Sequence, residues 1–365
     1  MTMLNRREAI GGLAAGAAVA GFGPAKAQSQ PKIAFTLLFE PGGDVGWDPE
    51  HMRGVNMARA FHGDAVQIDT FHSVREWGKG DKEVFQRLVA DGYDMIFTTS
   101  AGYMQSTIEV AFEAPNVLFE NCAGYIRSRN VSTYNARWYE GRTAYGFLAG
   151  SMTRTNRIGY LGAYPIPQVT RGINSAYLAA KAANPDVEFD IIWLNEWFNP
   201  DKEAQVAHQL LDRGCDILMQ HTVSTAAVDL AQEKGIYSFG QSSDMSKYGP
   251  DAVLTSMINN WGPYYTRRIS EFLNGTWKSE DTLGGLGQEM IALGGLLPTI
   301  PNRVHLQAQD VISRIASGQQ HPFVGPVGRQ GGKGWLAPGE VASNSDLLTM
   351  NYYVDGIKSV FPAAS

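Results

Sequence analysis

The sequence predicts an α/β protein made of two open, mostly parallel sheets covered by helices. Three observations lead there. Short apolar runs alternate with amphipathic ones, the alternation restarts near the middle of the chain, and 365 residues are more than one core usually supports. Strands buried on both faces read as continuous apolar runs, while the helices covering them keep a polar side.

Taken in order, Lys32-Leu38 is a short apolar strand and Pro49-Phe61 a helix. Ala65-Phe71 is a second strand, and Lys79-Asp91 an amphipathic helix with Val84, Leu88 and Val89 on one side. A strand at Met95-Thr99, a helix at Met104-Ala114 and a strand at Val117-Glu120 complete the first series. The second reads as strand Arg157-Leu161, helix Gln168-Ala183, strand Phe189-Leu194 and helix Asp201-Arg213, the last ended by Gly214. Strand Ile217-Gln220, helix Val223-Lys234 and strand Tyr237-Gly240 follow. From Asp310 to Pro362 Gly and Pro are frequent, and short turn-bounded strands are expected.

The first residues read as an export signal. Arg6 and Arg7 precede the small, weakly apolar stretch Ala9 to Phe22 and the small-residue site Ala25-Lys26-Ala27. The arginine pair suggests the twin-arginine route, with cleavage after Ala27 and a periplasmic destination. No stretch has the apolar length of a membrane span. The chain carries a net charge of −6. Removing Arg6, Arg7 and Lys26 with only Glu8 makes the remainder more acidic, which argues against nucleic acid as a partner. Export permits a disulfide, but Cys122 and Cys215 follow elements of different series and are expected as free, buried thiols. No histidine spacing suits a metal, no phosphate loop is present, and no cofactor is expected.

In open α/β sheets ligands sit beyond the carboxyl ends of the strands. The segments there include Phe39-Trp47, Ser100-Tyr103, Asn121-Tyr125, Tyr164-Pro167, Asn195-Phe198, His221-Thr222 and Gln241-Asp244. They are rich in Trp, Tyr, Asn, Gln, Ser and Asp, a mixture suited to a neutral ligand held by stacking and hydrogen bonds.

Several strings within these segments resemble the basic membrane protein family of ABC-transporter receptors. They are Asp44-Val45-Gly46-Trp47 with Gly54, Phe97 to Tyr103, Ile158-Gly159-Tyr160-Leu161-Gly162, Glu196 to Lys202, Pro322-Phe323-x-Gly325-Pro326 and Tyr353-Val354-Asp355-Gly356. Each string alone is weak; their order and spacing over most of the chain carry the resemblance. It implies the type I periplasmic-binding fold, in which two Rossmann-like lobes joined by three hinge crossings close on a ligand. On this chain lobe 1 would hold residues 31–130 and 257–282, and lobe 2 residues 131–256 and 283–365.

The resemblance further implies a purine ring sandwiched between Trp47 and Trp197, one from each lobe. Such stacking is worth ~0.5–1.5 kcal/mol per pair beyond area burial. Asp44 matches the acidic residue that meets the polar edge of the base, and Asp48 stands where an Asn is common. Ser100, Gly102 and Tyr103 offer hydroxyl and backbone groups at the third strand's end. Nucleoside receptors carry Gly-Val-Asp after the last strand of the series, the Asp gripping the ribose diol; here the residues are Gly240-Gln241-Ser242. A single hydroxyl cannot replace the two oxygens of a bidentate carboxylate, and losing a matched acceptor costs ~1–3 kcal/mol. A free base such as adenine or hypoxanthine is therefore expected, unless Asp244 takes over the diol. The expected protein is a monomeric receptor that presents its ligand to a membrane permease. The alternatives are a nucleoside receptor or an exported nucleoside or glycoside hydrolase, for which Asp44 and Asp48 are the evident acid/base candidates.

Overall fold

The computed structural model describes residues 30–362. The expected export segment lies outside them. The first series is β1 (Lys32–Thr36), α1 (Trp47–His62), β2 (Gln67–Phe71), α2 (Asp81–Ala90), β3 (Met95–Thr98), α3 (Met104–Glu113), β4 (Leu118–Cys122) and β5 (Val131–Ala136). The second is α4 (Trp138–Met152), β6 (Arg157–Gly162), α5 (Pro167–Ala183), β7 (Glu188–Trp193), α6 (Pro200–Asp212), β8 (Ile217–Gln220), α7 (Ala226–Lys234), β9 (Tyr237–Gly240) and β10 (Val253–Asn259). Then come α8 (Gly262–Leu273), β11 (Asp281–Gly284), β12 (Ile291–Leu293), α9 (Asn302–Ala316), β13 (Val327–Arg329), β14 (Lys333–Leu336) and α10 (Asn344–Leu348).

Two six-stranded sheets result, ordered β11-β5-β4-β3-β1-β2 and β12-β10-β9-β8-β6-β7. Every pairing in the first is parallel. The second is parallel except where β12 runs against β10. In both, the first strand of the series lies between the next two: β1 is flanked by β2 and β3, and β6 by β7 and β8. The connections leave these central strands in opposite directions, which opens a crevice at their carboxyl ends.

The chain passes from one sheet to the other after β5, after β10 and after β11. These passages move the expected lobe boundaries. Val131–Ala136 continues the first sheet because its backbone pairs with β4 from Phe119 to Cys122. Residues 257–259 complete β10 in the second sheet, and β11 keeps Leu283 and Gly284 beside β5 in the first. A strand ends where its ladder ends, which apolar patterning does not locate. The region from Asp310 on also departs from expectation: it opens inside α9, whose buried Ala308 and Ile315 face inward. Beyond it, the hairpin of β13 and β14 matches the expected turn-bounded strands.

Helix α1 leads the site, and its packing explains Gly54. A Cβ at Gly54 would lie 2.9 Å from the Tyr265 ring and 3.1 Å from Trp261 Cβ, so only glycine lets α1 press against α8. Cys122 and Cys215 are buried and free.

Candidate functional site

Twelve residues line a narrow cavity between the two sheets, and all of them follow strands. Leu38, Phe39 and Trp47 come after β1, Ser100 and Ala101 after β3, and Ala123 after β4. Gln168 comes after β6, Trp197 after β7, His221 and Val223 after β8, and Gln241 and Ser242 after β9. The cavity holds about 30 Å³, room for about two water molecules at roughly 10–15 Å³ of probe volume each. It is a slit whose walls must part to admit a bicyclic ring.

On the first wall Trp47 is fixed by its surroundings. Its indole N–H donates to Thr99 O at 2.8 Å. Its ring packs on His51 at 4.7 Å and on Trp138 and Trp261 at 5.8 Å each. His51 stacks on Trp261 at 5.2 Å, is wholly buried, and is held neutral because burial lowers its pKa to about 3. Asp48, next to Trp47 in the first turn of α1, is buried. One carboxylate oxygen accepts from Phe39 N at 2.7 Å, and the other is buried without a partner. Burial raises the Asp48 pKa to about 7, against the lowering pull of the Phe39 and Leu38 amides and with a smaller push from Glu76.

On the second wall Trp197 is held from across the cleft, its indole N–H donating to Glu76 Oε1 at 2.8 Å. Glu76 also accepts from the Ser100 hydroxyl, and burial raises its pKa. Gln241 is oriented by Arg142, whose guanidinium donates to Gln241 Oε1 and, at 2.6 Å, to Gln220 O. With its oxygen taken, Gln241 has its amide NH₂ as the remaining edge; one N–H reaches Ser242 Oγ at 3.3 Å. His221 is kept neutral first by burial, then by Arg142 and Arg171, and its Nδ1 has no partner.

The structure brings Trp47, Trp197, Ser100, Gln241 and Ser242 to one cavity. Asp48 is not among the lining residues but accepts from the backbone of Phe39, which is. Gly102 supports the wall instead of lining it: a Cβ there would fall 2.3 Å from Glu76 Oε2, and its carbonyl accepts from Trp77 N at 3.1 Å. Three other expected site residues lie elsewhere. Tyr103 is wholly buried in a separate apolar cluster, with its hydroxyl spent on Val74 O at 2.6 Å. Asp244 is exposed and caps a turn by accepting from Ser246 N at 2.9 Å. Asp44, also exposed, pairs with Lys247 and accepts from Tyr248 OH at 2.5 Å, joining the α1 loop to the segment after β9. Near it Gly46 N donates to Ser243 Oγ at 2.8 Å. Hydrogen bonds therefore cross between the walls at both Asp44 and Glu76.

Sequence reasoning missed Glu76, Gln168, Arg142 and Arg171. Glu76 follows the second strand, so the same strand-end rule would have found it. Gln168 is the second residue of α5 and reads as helix. The two arginines sit inside α4 and α5, where a cation ordinarily reads as a solvated helix face.

Residues 37–322 match the family model described as ABC transporter substrate-binding protein, PnrA-like. A purine-binding protein of Brucella abortus is 41% identical over 95% of this chain and 99% of its own length. A protein of Haloferax volcanii named for ABC-transporter glucose binding is 29% identical over 84% of this chain and 77% of its own. Among solved structures, an ABC-transporter solute-binding protein of Aeropyrum pernix superposes with a TM-score of 0.68 at 16% identity, covering 87% of this chain and 95% of its own. That likeness shows the two-lobed periplasmic-binding fold. With this fold, this cleft and a family match across most of its length, the chain belongs to the PnrA-like substrate-binding proteins of ABC transporters.

Proposed function

We propose that this substrate-binding protein captures a purine base, such as hypoxanthine or adenine, between Trp47 and Trp197 and presents it to a membrane permease. The purine-binding name of the Brucella relative supports the ligand class. The single observation that carries the free-base reading is the end of β9. Ser242 there is buried, lines the slit and has a backbone φ of 65°, while Asp244 is turned out to solvent. No carboxylate is thus placed after β9 to hold a ribose diol.

Asp48 and Gln241 supply the polar edges in this reading. The unpartnered Asp48 oxygen becomes the acceptor for a ring N–H, and Gln241 N–H the donor to a ring carbonyl or nitrogen. Export by the twin-arginine route with cleavage after Ala27, and action as a monomer, belong to the same proposal. Hydrolysis is disfavoured by the placement of its candidate pair: Asp44 is exposed and engaged by Lys247, which leaves the buried Asp48 without its expected acid/base partner. Calorimetry with hypoxanthine, adenine and adenosine tests the reading. Bases are expected to bind about five- to a hundredfold more tightly than adenosine, given an acceptor contribution of about 1–3 kcal/mol. Tighter adenosine binding would overturn the free-base assignment, and release of free base from adenosine would overturn the receptor reading.

A further inference from the structure

Beside the slit lies a wider chamber of about 680 Å³, which shares Ala101, Ala123 and Gln168 with it. No Asp or Glu is among its lining residues, but Arg171 is. The Arg171 side chain is 2% exposed. One guanidinium nitrogen donates to Leu347 O at 3.2 Å, while Nε and Nη2 have no partner. Its plane lies over the Tyr139 ring, 5.8 Å from the centroid. Among the described residues neither Arg171 nor its fellow Arg142 has a carboxylate within salt-bridge distance, unlike the buried Arg268, which pairs with Glu120 at 2.7 Å. A buried cation without a counter-charge is costly. Here burial lowers the Arg171 pKa to about 10, so the group stays charged near neutrality.

Two further features at the chamber have the same polarity. Asn135 is buried, and its Oδ1 accepts from Ala136 N at 2.9 Å, which leaves the amide NH₂ as the donor edge. Helix α5 begins at the chamber wall with Pro167 and has no side-chain cap, so the positive end of a 17-residue helix faces the same space.

We propose that this chamber is an anion subsite continuous with the purine slit, in which Arg171, the Asn135 amide and the start of α5 receive a compact oxyanion. The anion is either an acidic substituent on the ring ligand or a free anion bound beside it. The first form rests on the proposed ring site; the second does not.

The test is calorimetry on the exported, full-length mature protein with unsubstituted purine and with purine-6-carboxylate, which differ by one carboxylate. The readout is the ratio of their affinities in the wild type and in Arg171→Gln, a variant that retains a donor for Leu347 O. The carboxylate is expected to bind about tenfold or more tightly than purine in the wild type, and the ratio to fall to about one in Arg171→Gln. Inorganic phosphate alone forms the second arm. A rise in wild-type melting temperature that is absent in the variant assigns the chamber to a free anion. If purine binds, the carboxylate gains nothing and phosphate has no effect, the anion subsite is overturned while the ring site stands. If phosphate stabilises the wild type but neither purine binds, the ring site fails and the anion subsite stands. Should Arg171→Gln not fold, the wild-type ratio and the phosphate response still decide.

Discussion

The two walls of the cleft hold their tryptophans by different means. Trp47 rests on a fixed platform, its N–H on Thr99 O and its face against His51, Trp138 and Trp261. Trp138 and Trp261 themselves begin the segments that follow the passages after β5 and β10. Trp197 has a partner of the opposite kind: its N–H goes across the cleft to Glu76 on the first lobe. The first indole therefore has its N–H partner on its own wall, whereas the second packs on Tyr164 and His221 of its own wall but keeps its N–H partner only when the walls are close. Charge divides the same way, with Asp48 and Glu76 on the first wall and Arg142 and Arg171 on the second. On the proposed function, a ligand would find the first face preorganised and would complete the second by replacing or joining the Glu76 contact.

The largest expected effect separates these two roles. Trp47→Ala and Trp197→Ala should each weaken purine binding by roughly a hundredfold or more, because each removes one stacking face with its buried area. Their stabilities should differ. Trp47→Ala opens a hole in the aromatic block and should cost about 2–4 kcal/mol in denaturant unfolding. Trp197→Ala, on a half-exposed loop, should cost less than about 1 kcal/mol. Equal stability losses would break the comparison, and normal binding by both variants would displace the ring site.

A second effect concerns Asp48. The folded state keeps its proton up to about pH 7, whereas the unfolded carboxyl releases it near the ordinary value of 3.8. Below about pH 4 both states are protonated and burial carries no ionisation penalty. As pH rises from about 4 to about 7 the folded state loses stability relative to the unfolded one, by about 2–4 kcal/mol in all at 1.36 kcal/mol per unit, and the loss levels off above about 7. Asp48→Asn keeps an oxygen for Phe39 N and removes that loss. Its unfolding free energy should exceed the wild-type value at pH 8 and match it more nearly at pH 4. Parallel wild-type and Asn curves from pH 4 to 8 would place the carboxyl in water.

Much of this was legible in the sequence, for a physical reason. Apolar runs such as Ile217–Gln220 and Tyr237–Gly240 report burial on both faces, and the strand-end rule then points at the cleft. The segments holding Trp47, Ser100, Trp197, Gln241 and Ser242 were reached that way, and the family resemblance then singled out Trp47, Trp197 and Ser242 within them. Direction was not legible. Tyr103 follows β3 closely, as Ser100 does, yet turns into the core because the short helical turn from Ala101 rotates its side chain away from the cleft. Arg171 was illegible for another reason: its position on α5 reads like any helical cation, and only packing against Tyr139 and α10 buries it.

The smallest effect tests Asp44, where resemblance and geometry part. The resemblance gives it the polar edge of the base, while the structure gives it Lys247 and Tyr248 at the mouth of the cleft. Exposed ion pairs are worth ~0.2–1 kcal/mol. Asp44→Ala should therefore weaken ligand binding by only about two- to fivefold, through easier opening, and should raise the dissociation rate more than it slows association. The same loss should appear in Lys247→Ala, and the double variant should be little worse than either single one, since both substitutions remove one contact. Raising the salt concentration should shrink the difference from the wild type. A hundredfold loss in Asp44→Ala with none in Lys247→Ala would return Asp44 to the base and make the surface pair incidental. A shared small loss would mark Asp44 as a clasp between the two lobes.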